Sequence, residues 1–323
     1  MLTTRDKTSA DGDKKKVFGF LGGGLRKALK KLLLLVIKFT VSGGLLWLVL
    51  RRAGAQKVLH TIQGMRPQFF LAAIALYLLG TLISSMRWRL FVSSKDLKLG
   101  KFFSLYLLGT FFSTFLPGVV GGDAFKGYYL YKKTGKMAEA MASIFMERYL
   151  GFAALLMVAF AAYLPGLRYL SGTGLVWFLP ALFLVFLIFS LLFFKFRLGR
   201  RIKLMADFYG YFGLYEKRAI LKGILLSLVV QGISIVAVYV LSKGFGLGVS
   251  LPLFFVFVPL ITIFSAVPLS ISGLGIREAS FVLLFGSVGV SPQTATALSF
   301  SLFLSMAAAS LPGLYEYLKI KKN

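Results

Sequence analysis

Most of this 323-residue chain is a series of apolar runs of membrane-spanning length, and two of those runs break at a proline into glycines followed by paired charges. A hydrocarbon core about 30 Å thick takes about 20 apolar residues of helix. Runs near 32–50, 69–88, 141–163, 174–194, 222–242 and 293–313 meet or approach that length, and shorter ones cover 102–116 and 251–267. The shorter runs lead into Pro117-Gly-Val-Val-Gly-Gly-Asp123-Ala-Phe-Lys126 and Pro268-Leu-Ser-Ile-Ser-Gly-Leu-Gly275-Ile-Arg277-Glu278. Proline, glycine and charge at membrane depth are costly unless the freed backbone groups are buried in protein or line a polar cavity. A matched pair of such breaks in two halves of a chain points to a site between repeats. The fold class is therefore an all-α polytopic membrane helix bundle with two broken or re-entrant helix motifs.

With 58% hydrophobic residues, the chain belongs in a bilayer. Its net charge of +27 is gathered beside apolar runs, at Lys14–Lys16, Arg26–Lys31, Lys195–Lys203, Lys217–Lys222 and Lys319–Lys322. That placement suits cytoplasmic flanks and anionic headgroups, and no recognition motif accompanies the charge, so nucleic acid is excluded as a partner. The absence of cysteine removes disulfides, thiolate catalysis and Cys-ligated zinc. The single histidine, His60, stands in a connecting segment, and a metal site needs several converging donors. We expect neither a metal nor a cofactor. About thirty polar and basic residues precede the first run, too many for a cleaved leader. Residues 1–31 read as a basic cytoplasmic tail with a possible interfacial helix, and 32–318 as the transmembrane domain.

Orientation follows from the basic flanks. If every run crossed, segments 87–101 and 126–136 would lie on opposite sides although both are strongly basic. The conflict disappears if 102–116 enters from the cytoplasm, turns at Pro117–Gly122 and returns, while 251–290 does the same from outside. Residues 69–163 and 222–313 then form inverted repeats with both termini cytoplasmic, although the basic linker 51–66 falls outside. The plain alternative is eight or nine full spans joined by ordinary loops. Trp47, Trp88 and Trp177 sit near run ends, as interfacial anchors do. Segment 200–216 places Ile202, Met205, Phe208, Phe212 and Tyr215 at helical spacing, as in an amphipathic helix on the cytoplasmic leaflet.

Asp123, Glu147 and Glu278 are the acids set within or beside apolar structure. Ala140, Ser143, Glu147, Gly151 and Ala154 share one small, polar helical face that should pack inward. Arg148 lies about 100° around the helix from Glu147. Each therefore needs a partner elsewhere: Asp123 for Arg148, and Arg277 or Lys126 for Glu147. These groups either lock the hairpins to neighbouring helices or meet a lipid phosphate and a cationic headgroup. Gly121, Gly122, Gly273 and Gly275 could add backbone N–H groups as an anion nest, with Pro117 and Pro268 breaking the helices.

The string Phe115-Leu-Pro-Gly-Val-Val-Gly-Gly-Asp123, followed by Tyr128, Tyr131-Lys-Lys, Gly135, Ala142-Ser143 and Glu147-Arg148-Tyr-Leu-Gly151, resembles the lysylphosphatidylglycerol synthase transmembrane family over roughly 30–315. Pro268–Glu278 is similar to its second signature. The resemblance implies a flippase-like protein of the bacterial inner membrane that moves an aminoacylated or polyprenyl-phosphate-linked lipid. Its headgroup path would be Gly121, Gly122, Asp123, Lys126, Glu147, Arg148, Gly273, Gly275, Arg277 and Glu278. Lys126 stands where family members often carry arginine, which loses a bidentate phosphate fork. No acyltransferase domain follows residue 323, so lipid aminoacylation is not expected of this chain. A non-transporting assembly factor for envelope synthesis is the second reading, and a membrane enzyme the third.

Overall fold

A computed structural model describes residues 33, 36–93, 97–115, 121–170, 176–196, 202–267, 270 and 273–322. The tail 1–31, Pro117 and Pro268 lie outside them. Every regular element among the described residues is a helix: α1 (36–53), α2 (Ala55–Gln63), α3 (Pro67–Arg89), α4 (Leu99–Phe115), α5 (Gly121–Thr134), α6 (Met137–Leu170), α7 (Phe178–Phe196), α8 (Lys203–Leu214), α9 (Lys217–Gly244), α10 (Leu251–Ala266), α11 (Ile276–Gly286), α12 (Pro292–Ser310) and α13 (Pro312–Lys322). Helix is the only open structure that satisfies its own backbone in lipid. Many serines and threonines within the helices bond back to carbonyls of the preceding turn, as Thr81 does to Tyr77 and Ser227 to Gly223, which satisfies their hydroxyls. Among the described residues, five segments are long and apolar enough to cross a membrane: α3, the 137–163 part of α6, α7, α9, and α12 with α13.

The centre is the antiparallel pair α3 and α9. Gly223 lies against Phe91, Gly80 against Ile233, and Gly244 against Met65 and Phe69, so the pair has a Trp88 end and a Gly244 end. Helix α4 starts at the Trp88 end, where Trp88 and Phe102 stack edge-on at 5.2 Å. It is followed by α5 running back along it. Gly122 lies against the carbonyl of Gly109 and the hydroxyl of Ser113, and Leu130 packs with Phe102 and Leu105. Helix α10 starts instead at the Gly244 end and is answered by α11, with Phe285 against Phe254 and Phe257 near the base and Gly273 against Ser265 near the tip. Two hairpins thus enter the bundle from opposite ends.

The halves correspond element by element. Helices α3, α4, α5 and α6 match α9, α10, α11 and α12, and each packed pair in one set has its counterpart: α3 on α12 and α9 on α6, α4 on α12 and α10 on α6, α5 on α6 and α11 on α12. The spacing is regular as well. Helices α4 and α10 start at 99 and 251, and α5 and α11 end at 134 and 286, both shifts of 152. This is an inverted-repeat bundle.

Two local expectations change. Trp88 is fully buried and donates its indole N–H to Ser143 at 3.1 Å, which makes it a core piece and no interfacial anchor; Trp47 and Trp177 are exposed. Within the segment at 200–216, α8 is helical, but its Phe208 and Phe212 pack against Phe145 of α6, so that part of the apolar face is covered by protein while Ile202 stays exposed. Helix α7 is the peripheral span and leaves most of its surface outward.

Candidate functional site

The inward face foreseen on α6 is realised. Ala140, Ser143, Glu147 and Ala154 are buried, and Gly151 gives room to the guanidinium of Arg87. Glu147 sits among donors from three other helices. Arg87 of α3 donates to its Oε1 at 2.7 Å, the Tyr106 hydroxyl of α4 donates to the same atom at 2.7 Å, and Lys126 of α5 donates to Oε2 at 2.9 Å. Arg87 also reaches Ser227 of α9 at 2.9 Å. Lys126 lies over the ring of Tyr106, 4.3 Å from its centroid, and its ammonium is 3.1 Å from Asp123. Arg148, on the neighbouring face of α6, grips Asp123 with two bonds of 2.7 and 2.9 Å. Three cations here face two carboxylates, which leaves one positive charge in excess.

Glycine brings the first hairpin this close. A side-chain carbon at Gly122 would run into the Gly109 carbonyl and Ser113, and one at Gly109 would lie 2.7 Å from Cγ of Lys126. The second hairpin uses its glycines differently. Gly273 and Gly275 hold φ of 78° and 84°, the left-handed region that favours glycine. Glu278 then turns back over the start of α11 and accepts the Gly275 N–H at 2.6 Å. It also accepts from Arg277 at 2.7 and 3.1 Å and from the Ser299 hydroxyl at 3.0 Å. Arg277 therefore pairs with its chain neighbour and not with Glu147, because both long side chains converge on the first turn of a helix. The Gly275 N–H is already filled by a carboxylate of the same chain, so it is not open as an anion nest.

The two hairpins meet at a cavity of about 240 Å³. Its wall takes Asp123 and Lys126 from α5, Arg148 from α6 and Arg277 from α11. Tyr77 and Thr81 of α3, Tyr106, Thr110, Ser113 and Thr114 of α4, and Phe303 and Ser310 of α12 complete much of it. Tyr77 and Thr81 lie near the middle of α3, so the cavity is at mid-depth of the bundle. Of the ten residues expected along a path, these four charged groups reach the wall. Glu147 and Glu278 stand behind Lys126 and Arg277 and hold them in place. Gly121 opens α5, Gly122 packs against α4, and Gly273 and Gly275 shape the second turn. Arg87 and Tyr106 were missed: Arg87 passes in sequence for one more cation of a basic flank, and only the weakly polar Thr81, Ser84 and Ser85 before it hint at a buried face. No group of three or more His, Cys, Asp or Glu residues suited to a metal occurs among the described residues.

Comparison with known proteins places the chain in a family. The family described as "Lysylphosphatidylglycerol synthase TM region" has a model that matches residues 35–309, which takes in both hairpins and every charged residue of the cavity. A UPF0104 membrane protein of Pyrococcus horikoshii is 28% identical over 127 residues, 38% of this chain and 37% of that protein. The matched stretch thus spans little more than a third of the curated relative.

Proposed function

This chain belongs to the lysylphosphatidylglycerol synthase transmembrane-region family, and from that premise we propose that it passes the headgroup of a polar lipid between leaflets through the mid-depth cavity. The cargo class is an aminoacylated phospholipid or a polyprenyl-phosphate-linked lipid. The observation behind this reading is that each hairpin delivers a cation, Lys126 and Arg277, to one cavity whose charged wall is net positive. Buried charge in a membrane is expensive and is retained mostly where ions or headgroups must be met. Asp123 and Glu147 keep the cations from binding a phosphate irreversibly.

The Trp88 end is assigned to the cytoplasm of a bacterial inner membrane, since Arg89, Lys98, Lys101, Lys132, Lys133, Lys217, Arg218 and Lys222 lie toward it. Both termini are then cytoplasmic, where the basic tail meets anionic headgroups. The chemistry is binding and release and includes no aminoacylation. The test is leaflet exchange of labelled lipids in proteoliposomes, with several lipid classes and the thermal stability of each variant. Asp123→Asn and Arg277→Gln should stay folded and lose exchange. Exchange equal to that of the parent in both variants would leave the assembly-factor reading ahead.

A further inference from the structure

A second, apolar recess of about 320 Å³ lies between α6 and α7, walled by Phe145 and Phe152 on one side and Leu182, Val185 and Phe189 on the other. Arg148 lines both this groove and the charged cavity. Its side chain is still 52% exposed although Asp123 takes its Nε and Nη2 atoms. The Arg148–Asp123 pair is thus a polar partition between the headgroup cavity and an apolar slot. The outer side of the slot is open, because Val185 is 60% exposed and α7 turns Leu184, Leu187 and Ile188 outward as well.

Resting on the headgroup-path reading, we propose that the α6–α7 groove is the lateral docking site for an acyl chain of an anionic phospholipid, with Arg148 taking the lipid phosphate in exchange for Asp123. The occupant follows from charge and shape together. An apolar slot beside a half-exposed guanidinium suits a molecule with a hydrocarbon tail and an anionic oxygen cluster at one end. Three cations against two carboxylates leave one positive charge that such a phosphate neutralises. Guanidinium suits it better than ammonium, since its fork matches two phosphate oxygens at once. The headgroup would then stand in the polar cavity while the tail stays in hydrocarbon.

The experiment places the full chain in nanodiscs with phosphatidylglycerol carrying a photoreactive diazirine in one acyl chain. Labelled peptides are mapped, and diacylglycerol bearing the same chain is the comparison. We expect labelling within 145–152 and 182–189, with phosphatidylglycerol ahead by about tenfold, the worth of one charge-assisted hydrogen bond. Val185→Trp should fill the slot and remove labelling at both stretches. Arg148→Gln should abolish the preference for the phosphate-bearing probe. If that variant does not fold, Arg148→Lys keeps the charge without the fork, and the preference should fall part-way. Equal labelling by the two probes, or phosphatidylglycerol labelling undiminished in Val185→Trp, overturns the docking site. Site-specific labelling without leaflet exchange would remove transport and keep the groove; exchange without it would remove the groove alone.

Discussion

Glu147 is the residue on which the first half of the bundle closes, since its carboxylate ties α6 to α3, α4 and α5 at once. Removing one member of a buried ionic cluster leaves uncompensated charge, at a cost of about 3–5 kcal/mol. Glu147→Gln removes the acid that Arg87 pairs with and leaves Lys126 with Asp123 alone, and we expect a loss of that order in thermal or denaturant unfolding in detergent. The exposed Lys132→Ala should stay within about 0.5 kcal/mol of the parent. The pairing of Asp123 with Arg148 was legible in the sequence, because helical angle sends Glu147 and Arg148 to partners elsewhere, whereas for Glu147 the sequence left Arg277 and Lys126 open and the structure selects Lys126. Arg87 was not legible. Its partner is 60 residues away, and nothing local separates a cation that turns inward from one that reaches for headgroups.

The element that most depends on backbone contact is the first hairpin. Gly109→Ala places a methyl group 2.7 Å from Cγ of Lys126 and 3.1 Å from the Gly122 carbonyl, neither of which can withdraw without moving the ammonium off Glu147. Overpacking of this kind costs about 1–3 kcal/mol, and the same melting experiment reads it. Gly122→Ala should be worse, because the obstruction there is the backbone of α4 itself. The breaks themselves could be read from the sequence, as proline followed by glycine and charge has few uses in a membrane helix. That one hairpin closes by glycine-to-backbone contact and the other by left-handed turns could not be read, because both are spelled with the same residue.

At the scale of the whole molecule, the opposed hairpins make a prediction suited to a chain without cysteine. Single cysteines at Lys98 and Lys133, at the base of the first hairpin, should react with an impermeant thiol reagent from one side of the membrane. Cysteines at Ser250 and Ser287 should react from the other. All four are exposed, so a failure to label would reflect sidedness and not burial. Four sites reactive from a single side would sink the inverted arrangement. Basic flanks were enough to suggest that arrangement, whereas the 152-residue register was hidden, since few residues repeat across it and only the order and packing of the elements do. Lys126 with Glu147 and Glu278 with Ser299 keep the same 21-residue separation with different chemistry.

That register has a mechanical consequence. On the transport reading proposed above, a molecule made of two opposed copies would have a second arrangement, in which each copy takes the posture now held by the other. Exchanging the two postures would turn the molecule over without moving its termini, and the charged cavity would then face the opposite leaflet. The copies differ most where their charges differ: the first half clasps its hairpin with a lysine–glutamate pair, the second with a glutamate–serine bond. On that transport reading, those two clasps would set which way the molecule rests. Converting Ser299 to alanine loosens the second alone and should shift the resting balance, read as a change in which hairpin tip is reached by water.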